Sequence, residues 1–170
     1  MADLQPLDRL QPALLDRLTD NDPTNQQPEP KERRMLSRTE FRVAVLRDLA
    51  FLLNAARPTD AEGLGAWPEA QKSVLNFGMP SFAGETASTL DIVELERAVR
   101  EALILFEPRI NASSLRVQGL QEGSVLDWHN QISMRIEATV WAQPVPLDLL
   151  LRTDVDLETG QIDVKELGAT

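Results

Sequence analysis

The apolar positions change period once along the chain, after Pro108, and that change separates a helical half from a strand half. Phe41, Val45, Leu49, Leu52 and Leu53 recur at the three- and four-residue spacing of one helix face. Ser37 followed by Glu40 is a capping-box pattern, so a helix is predicted from Ser37 to about Ala55. Ile92, Leu95, Val99, Leu103 and Phe106 predict a second long helix. It is expected to start near Ser88 or Thr89, with Asp91 in its first turn, where an acid complements the helix dipole, and to be ended by Pro108. Beyond that point apolar residues alternate: Leu115 and Val117; then Leu126, Trp128, Ile132, Met134, Ile136, Ala138 and Val140; then Val145, Leu147, Leu149 and Leu151; then Ile162 and Val164. Turns are signalled by QEGS around Gly123, AQP before Val145 and DLETG around Gly160, and such short connections join antiparallel neighbours. The fold class is therefore α+β: an antiparallel three- to four-stranded sheet covered by two long helices, with a short separate N-terminal helix.

That N-terminal helix is read from Leu14, Leu15 and Leu18, which share one face, with a start near Gln11 and Pro12 in the first turn. Thr19 to Met35 is rich in Pro, Asn and charge and has no apolar periodicity, so burial there does not offset the entropy of ordering. The chain thus divides into residues 1–36, a helix and flexible linker; residues 37–166, the main domain; and a tail, 167–170. Between Arg57 and Glu85, repeated Gly and Pro leave room for one short helical turn and the compact segment SVLNFGMP, which keeps Val74, Leu75 and Phe77.

A length of 170 residues with 42% apolar content suffices for one core. The formal charge of −10 repels phosphate backbones and anionic lipid, so neither nucleic acid nor a membrane surface is an expected partner. Without cysteine, and with His129 as the single histidine, no disulfide, thiolate site or histidine metal cluster can be built. An all-carboxylate site stays open, but Asp154, Asp156 and Glu158, read as alternating on one strand, lack the spacing of a calcium loop. With no glycine-rich phosphate loop and no basic cluster, no cofactor and no metal is expected. The start of the chain lacks the pattern of a secretory signal and no apolar run reaches bilayer length, so a cytoplasmic location is expected.

Glu107-Pro108-Arg109 is the leading candidate site, because proline fixes the backbone direction where the helix ends and so holds an acid and a guanidinium at a defined corner. An Arg–carboxylate pair there is either a clamp tying helix to sheet or a docking element for a partner. Trp128 and Met134 fall on the inward face of their strand and His129 on the polar face; Trp141 falls out of the inward register near a turn, where it is available to a partner.

The blocks LLDRLTDNDP (14–23), VLRDLAFLLNAAR (45–57), SVLNFGMP (73–80), FEPRI (106–110) and RTDVDLETGQIDV (152–164) occur in an order that resembles TssE, the baseplate wedge family of type VI secretion machines, and through it a phage-tail wedge family labelled lysozyme-like. Ala55 stands where the family tends to have Thr, and Ser81-Phe82 where it has Asp-Leu. The resemblance implies a non-enzymatic subunit that joins the wedge proteins TssF and TssG beneath contractile sheath subunits. It favours docking for Glu107, Pro108 and Arg109; separately, the composition shift after Leu18 leads to the expectation that Leu14, Leu15 and Leu18 dock on a partner or on the main body. The rival reading, a peptidoglycan hydrolase, needs two carboxylates flanking a cleft, one of them kept protonated; Arg109 beside Glu107 favours the ionised acid instead.

Overall fold

A computed structural model describes residues 10, 12–19, 24, 36–58, 64, 66–82, 91–120, 131–142 and 146–168. The first long helix, here α2 because a five-residue helix α1 (Leu14–Leu18) precedes it, spans Arg38–Asn54. Its capping box forms as expected: the Ser37 hydroxyl accepts from the Glu40 N–H at 3.2 Å and the Glu40 carboxylate from the Ser37 N–H at 2.7 Å. Those bonds hold the Glu40 carboxyl below its ordinary pKa. The buried stripe is Phe41, Ala44, Val45, Leu49, Leu52 and Leu53.

A short helix α3 (Pro68–Gln71) and a single 3-10 turn (Val74–Asn76) follow, the latter inside the compact segment expected there. The chain then passes back beside the end of α2. Gly78 has φ +116°, and a side chain there would run into the Ala55 carbonyl. This close passage lets the Met79 N–H donate to Ala55 O at 2.7 Å and the Arg57 N–H to Met79 O at 2.9 Å.

The second long helix, α4, spans Ile92–Phe106 and buries Leu95, Val99, Ala102 and Leu103. Asp91 is its N-cap rather than a first-turn residue: its carboxylate accepts the Val93 N–H at 2.9 Å, a stronger use of a short acid than a dipole contact. Ser88 and Thr89, the expected start, lie outside the described residues.

The strands are β1 (Arg116–Leu120), β2 (Gln131–Val140), β3 (Leu147–Asp156) and β4 (Ile162–Glu166), paired antiparallel in the order β1-β2-β3-β4. The meander fits its short connections. Ile132, Met134, Ile136, Ala138 and Val140 of β2 and Leu149, Leu151, Thr153 and Val155 of β3 point into one core with the helix stripes, where each fully buried aliphatic side chain stabilises by roughly 1.5–3 kcal/mol. Helix α4 packs on β1 and α2 on β4. Gly119 of β1 permits the first contact, since a Cβ there would stand 2.5 Å from Cγ2 of Ile92.

Two further expectations change. Helix α1 begins at Leu14, not near Gln11, and Pro12 stays ahead of it, its ring and missing N–H being costly inside so short a helix. Glu158 is not on the strand with Asp154 and Asp156: β3 ends at Asp156, whose carboxylate accepts the N–H groups of Glu158 at 2.8 Å and Thr159 at 3.2 Å and so turns the chain. These bonds also keep the Asp156 carboxyl below its ordinary pKa. The QEGS turn, Leu126, Trp128, His129 and Val145 lie outside the described residues.

Candidate partner-docking site

At the end of α4 the Glu107 N–H still donates to Leu103 O, after which Pro108 stands exposed at the bend. The chain is then stitched to the end of β2: Ile110 bridges Val140, the Asn111 N–H donates to Thr139 O at 2.9 Å and the Trp141 N–H to Arg109 O at 2.7 Å. Glu107 is only 4% exposed. A carboxylate so buried needs both its charge and its lone pairs answered, and Arg109 does this from two residues away, with Nε on Oε1 at 2.6 Å and Nη2 on Oε2 at 2.5 Å, while the Arg109 N–H adds a bond of 3.1 Å to Oε1.

Arg109 Nη2 reaches in addition Asp48 Oδ2 on α2 at 2.7 Å, and its guanidinium carbon lies 5.9 Å from the centre of the Phe41 ring. Burial opposes the charge on Arg109, but hydrogen bonds to Glu107 and Asp48 and their negative charge outweigh it, so its pKa is raised. The other oxygen of Asp48 accepts from Arg47, through Nε at 3.0 Å and Nη2 at 2.7 Å. Arg47 Nη1 continues to Asp16 of α1 at 2.6 Å, and Asp16 Oδ2 accepts the Ala13 N–H at 3.1 Å. The hydrogen bond to Asp16, then that to Asp48, raises the Arg47 pKa. One chain of charges thus runs from the N-terminal segment across α2 to the bend after α4.

The expected site residues therefore separate into two groups. Glu107 and Arg109 are brought together as an intramolecular clamp. Leu14, Leu15 and Leu18 stay outside it on a helix that buries none of its residues, at 70%, 58% and 73% exposure. The N-terminal segment is nevertheless fastened to the body, because Leu10 is buried in the core and exchanges two backbone bonds with Leu36. Trp141 is exposed next to the clamp, as its register implied, and Trp67 is exposed as well.

The residue missed from the sequence is Asp48. It falls seven residues after Phe41 and four before Leu52, so a carboxylate occupies the flank of an apolar stripe, and that is the signal for a buried cation facing it.

The two edges of the sheet differ. On β1, the Gly119 N–H donates to Glu96 Oε1 at 2.6 Å, and Arg100 donates to the Leu115 carbonyl and to the Ala112 carbonyl at 3.5 Å. Both capping residues come from α4. On β4, the outward N–H and C=O of Ile162 are met by the Asn54 side chain, which accepts at 2.9 Å and donates at 2.8 Å. Val164 and Glu166 point the same way, and among the described residues none bonds their outward backbone groups.

Among the described residues there is no cluster of His, Cys, Asp or Glu able to hold a metal ion, and no helix long and apolar enough to cross a membrane. The described residues thus form a helix-and-meander domain with an internally clamped bend and, among those residues, one open sheet edge. A scan against protein families matches baseplate wedge protein gp25 over residues 39–145, more than half of the chain, and the chain belongs to that family, whose role is a structural one in a phage-tail-like baseplate. Comparison with curated proteins and with solved structures finds no match.

Proposed function

We propose that this protein is the TssE-type wedge subunit of a type VI secretion baseplate, a cytoplasmic, non-enzymatic part that joins TssF and TssG and supports the first contractile sheath subunits. The observation that carries this reading is the asymmetry of the sheet edges in a chain of the gp25 family: α4 closes β1, whereas β4 leaves outward backbone groups at Val164 and Glu166. A strand of a sheath subunit adds to that edge, with main-chain bonds giving affinity and alternate side chains giving specificity. On the solvent face it meets Asp163 and Lys165, which favour a strand carrying charges of opposite sign across from each.

The clamp makes the Glu107–Pro108–Arg109 bend rigid, so that Pro108, the solvent side of Arg109 and the neighbouring Trp141 dock a wedge partner with little ordering cost. The exposed Leu14, Leu15 and Leu18 form a second docking element. Against glycan hydrolysis stands the engagement of Glu107, the one buried carboxylate among the described residues, by Arg109 through both oxygens.

The test is affinity capture of the tagged chain from cells that express the secretion cluster, read by mass spectrometry. Recovery of both larger wedge proteins, reduced by Trp141→Ala at unchanged soluble level, is expected. Capture without either wedge protein, together with clearing of a peptidoglycan suspension by the purified chain, would overturn the assignment.

A further inference from the structure

We infer that Asn54 sets the register at which a strand adds to the sheet, by occupying the first position of the open edge; this rests on the strand-addition reading above. Asn54 is the last residue of α2, and its amide group is oriented at both ends. Nδ2 donates to Ala50 O at 2.8 Å within the helix and to Ile162 O at 2.8 Å, while Oδ1 accepts the Ile162 N–H at 2.9 Å. One side chain therefore makes both bonds that an antiparallel neighbour would make with Ile162, a strand pairing one residue long.

The consequence follows from the period of a strand. Ile162, Val164 and Glu166 share the outward backbone direction, because the Asp156 N–H donates to Gln161 O and the Leu167 N–H to Leu150 O, which in an alternating ladder turns the backbone groups of residues 161, 163, 165 and 167 toward β3. With Ile162 taken, an incoming strand can begin only at Val164. If Ile162 were free, the same strand could shift by two residues and keep every side chain on its proper face, the one slip that a one-face-buried sheet does not penalise. Blocking Ile162 removes that alternative. The β1 edge offers no second choice, since Glu96 and Arg100 bond backbone groups on either side of Val117. Asn54 is thus a positioning residue that acts on the partner through Ile162, without touching it.

The experiment uses the full chain with Asn54→Ala, Asn54→Asp and Val164→Pro, amide hydrogen exchange on each purified protein, and fluorescent sheaths per cell at matched soluble level. Val164 directs its N–H away from β3, so proline there removes an edge donor without removing a ladder bond. The expected results are Ile162 exchange about tenfold faster in Asn54→Ala, several-fold fewer sheaths in that variant and in Asn54→Asp, whose carboxylate loses both donor bonds and faces two carbonyl oxygens, and few sheaths in Val164→Pro. If Val164→Pro assembles sheaths like the parent, strand addition at β4 is wrong. If Val164→Pro fails while Asn54→Ala assembles like the parent, or if Ile162 exchange is unchanged without Asn54, the register role alone is overturned.

Discussion

Asp48 is shared by two arginines, and their surroundings give the same chemical pair two different jobs. Arg109 leaves 20% of its side chain exposed and faces a Glu107 side chain that is 5% exposed, whereas Arg47 is 43% exposed and holds Asp16 on a helix that buries nothing. In the first case charge has been removed from water, and removing one partner leaves the other buried and unanswered. In the second, Arg47 stays open to water although the Asp16 side chain is only 13% exposed, and a pair with one solvated partner lies toward the roughly 0–1 kcal/mol of exposed ion pairs. The difference teaches that the inner end of the charge chain holds the bend in shape and the outer end only fastens an appendage.

The largest expected effect breaks the inner end. Arg109→Ala leaves the Glu107 carboxylate buried without its cation and should cost about 3–5 kcal/mol, and Glu107→Ala about 3 kcal/mol, the lower figure because Arg109 keeps Asp48. For a chain of this size the first corresponds to a fall in Tm of roughly 6–20 °C. Arg109→Lys should recover only part of it, since an ammonium cannot bridge two carboxylate oxygens and Asp48 in one plane. Thermal melts of the three variants beside Arg47→Ala check the comparison. Arg109→Ala melting no lower than Arg47→Ala would mean that burial does not separate the two pairs.

Much of this fold is readable from periodicity, and the clamp shows where that stops. The α2 stripe from Phe41 to Leu53, the α4 stripe from Leu95 to Leu103 and the alternation from Ile132 to Val140 each depend only on local spacing, and each buries as that spacing implies. The pairing of Arg109 with Glu107 is local too, two residues apart. Its third member lies 61 residues away on another element, and nothing in a one-dimensional pattern names Asp48 as the partner except that an acid flanks an apolar stripe. Asn54 and Ile162, 108 residues apart, are still less accessible: an asparagine at a helix end is ordinary, and its strand-like bonding exists only once α2 lies along β4. Asp91 shows a smaller failure of the same kind, because only geometry separates an N-cap from a first-turn acid.

The middle-sized effect tests whether α4 must sit as close to β1 as it does. A methyl at Gly119 meets Ile92 Cγ2 at 2.5 Å and Glu96 Oε1 at 3.3 Å, and Cγ2 is branched next to the helix backbone, so it cannot swing far aside. Gly119→Ala should therefore cost about 1–3 kcal/mol by overpacking. It should also loosen the Glu96 cap and speed exchange of the residue 119 amide more than that of Met134 on the paired strand. A melt within a degree of the parent would show that α4 shifts without penalty, and the β1 edge would then be less closed than its hydrogen bonds imply.

The smallest effect lies at the outer end. Asp16→Asn removes the charge opposite Arg47 and keeps a side chain able to accept the Ala13 N–H. Arg47 retains Asp48 through two nitrogens, so the loss is confined to one partly solvated pair, about 0.5 kcal/mol or less in global stability. A five-residue helix does not hold itself together in water, so once its tether weakens it should fray even though the Tm barely moves. Amide exchange separates the two readouts. Residues 17 and 19, whose N–H groups donate to Ala13 and Leu15, should exchange several-fold faster in Asp16→Asn, while the Leu36 amide, bonded to buried Leu10, keeps the parent rate. Raising the salt concentration to 1 M, where the screening length shrinks to about 3 Å, should bring the parent toward the variant at α1 and leave the inner clamp untouched. If residues 17 and 19 exchange at the parent rate in Asp16→Asn, the leucine-bearing helix is held by something other than this ion pair, and the outer end of the charge chain is not what fastens it.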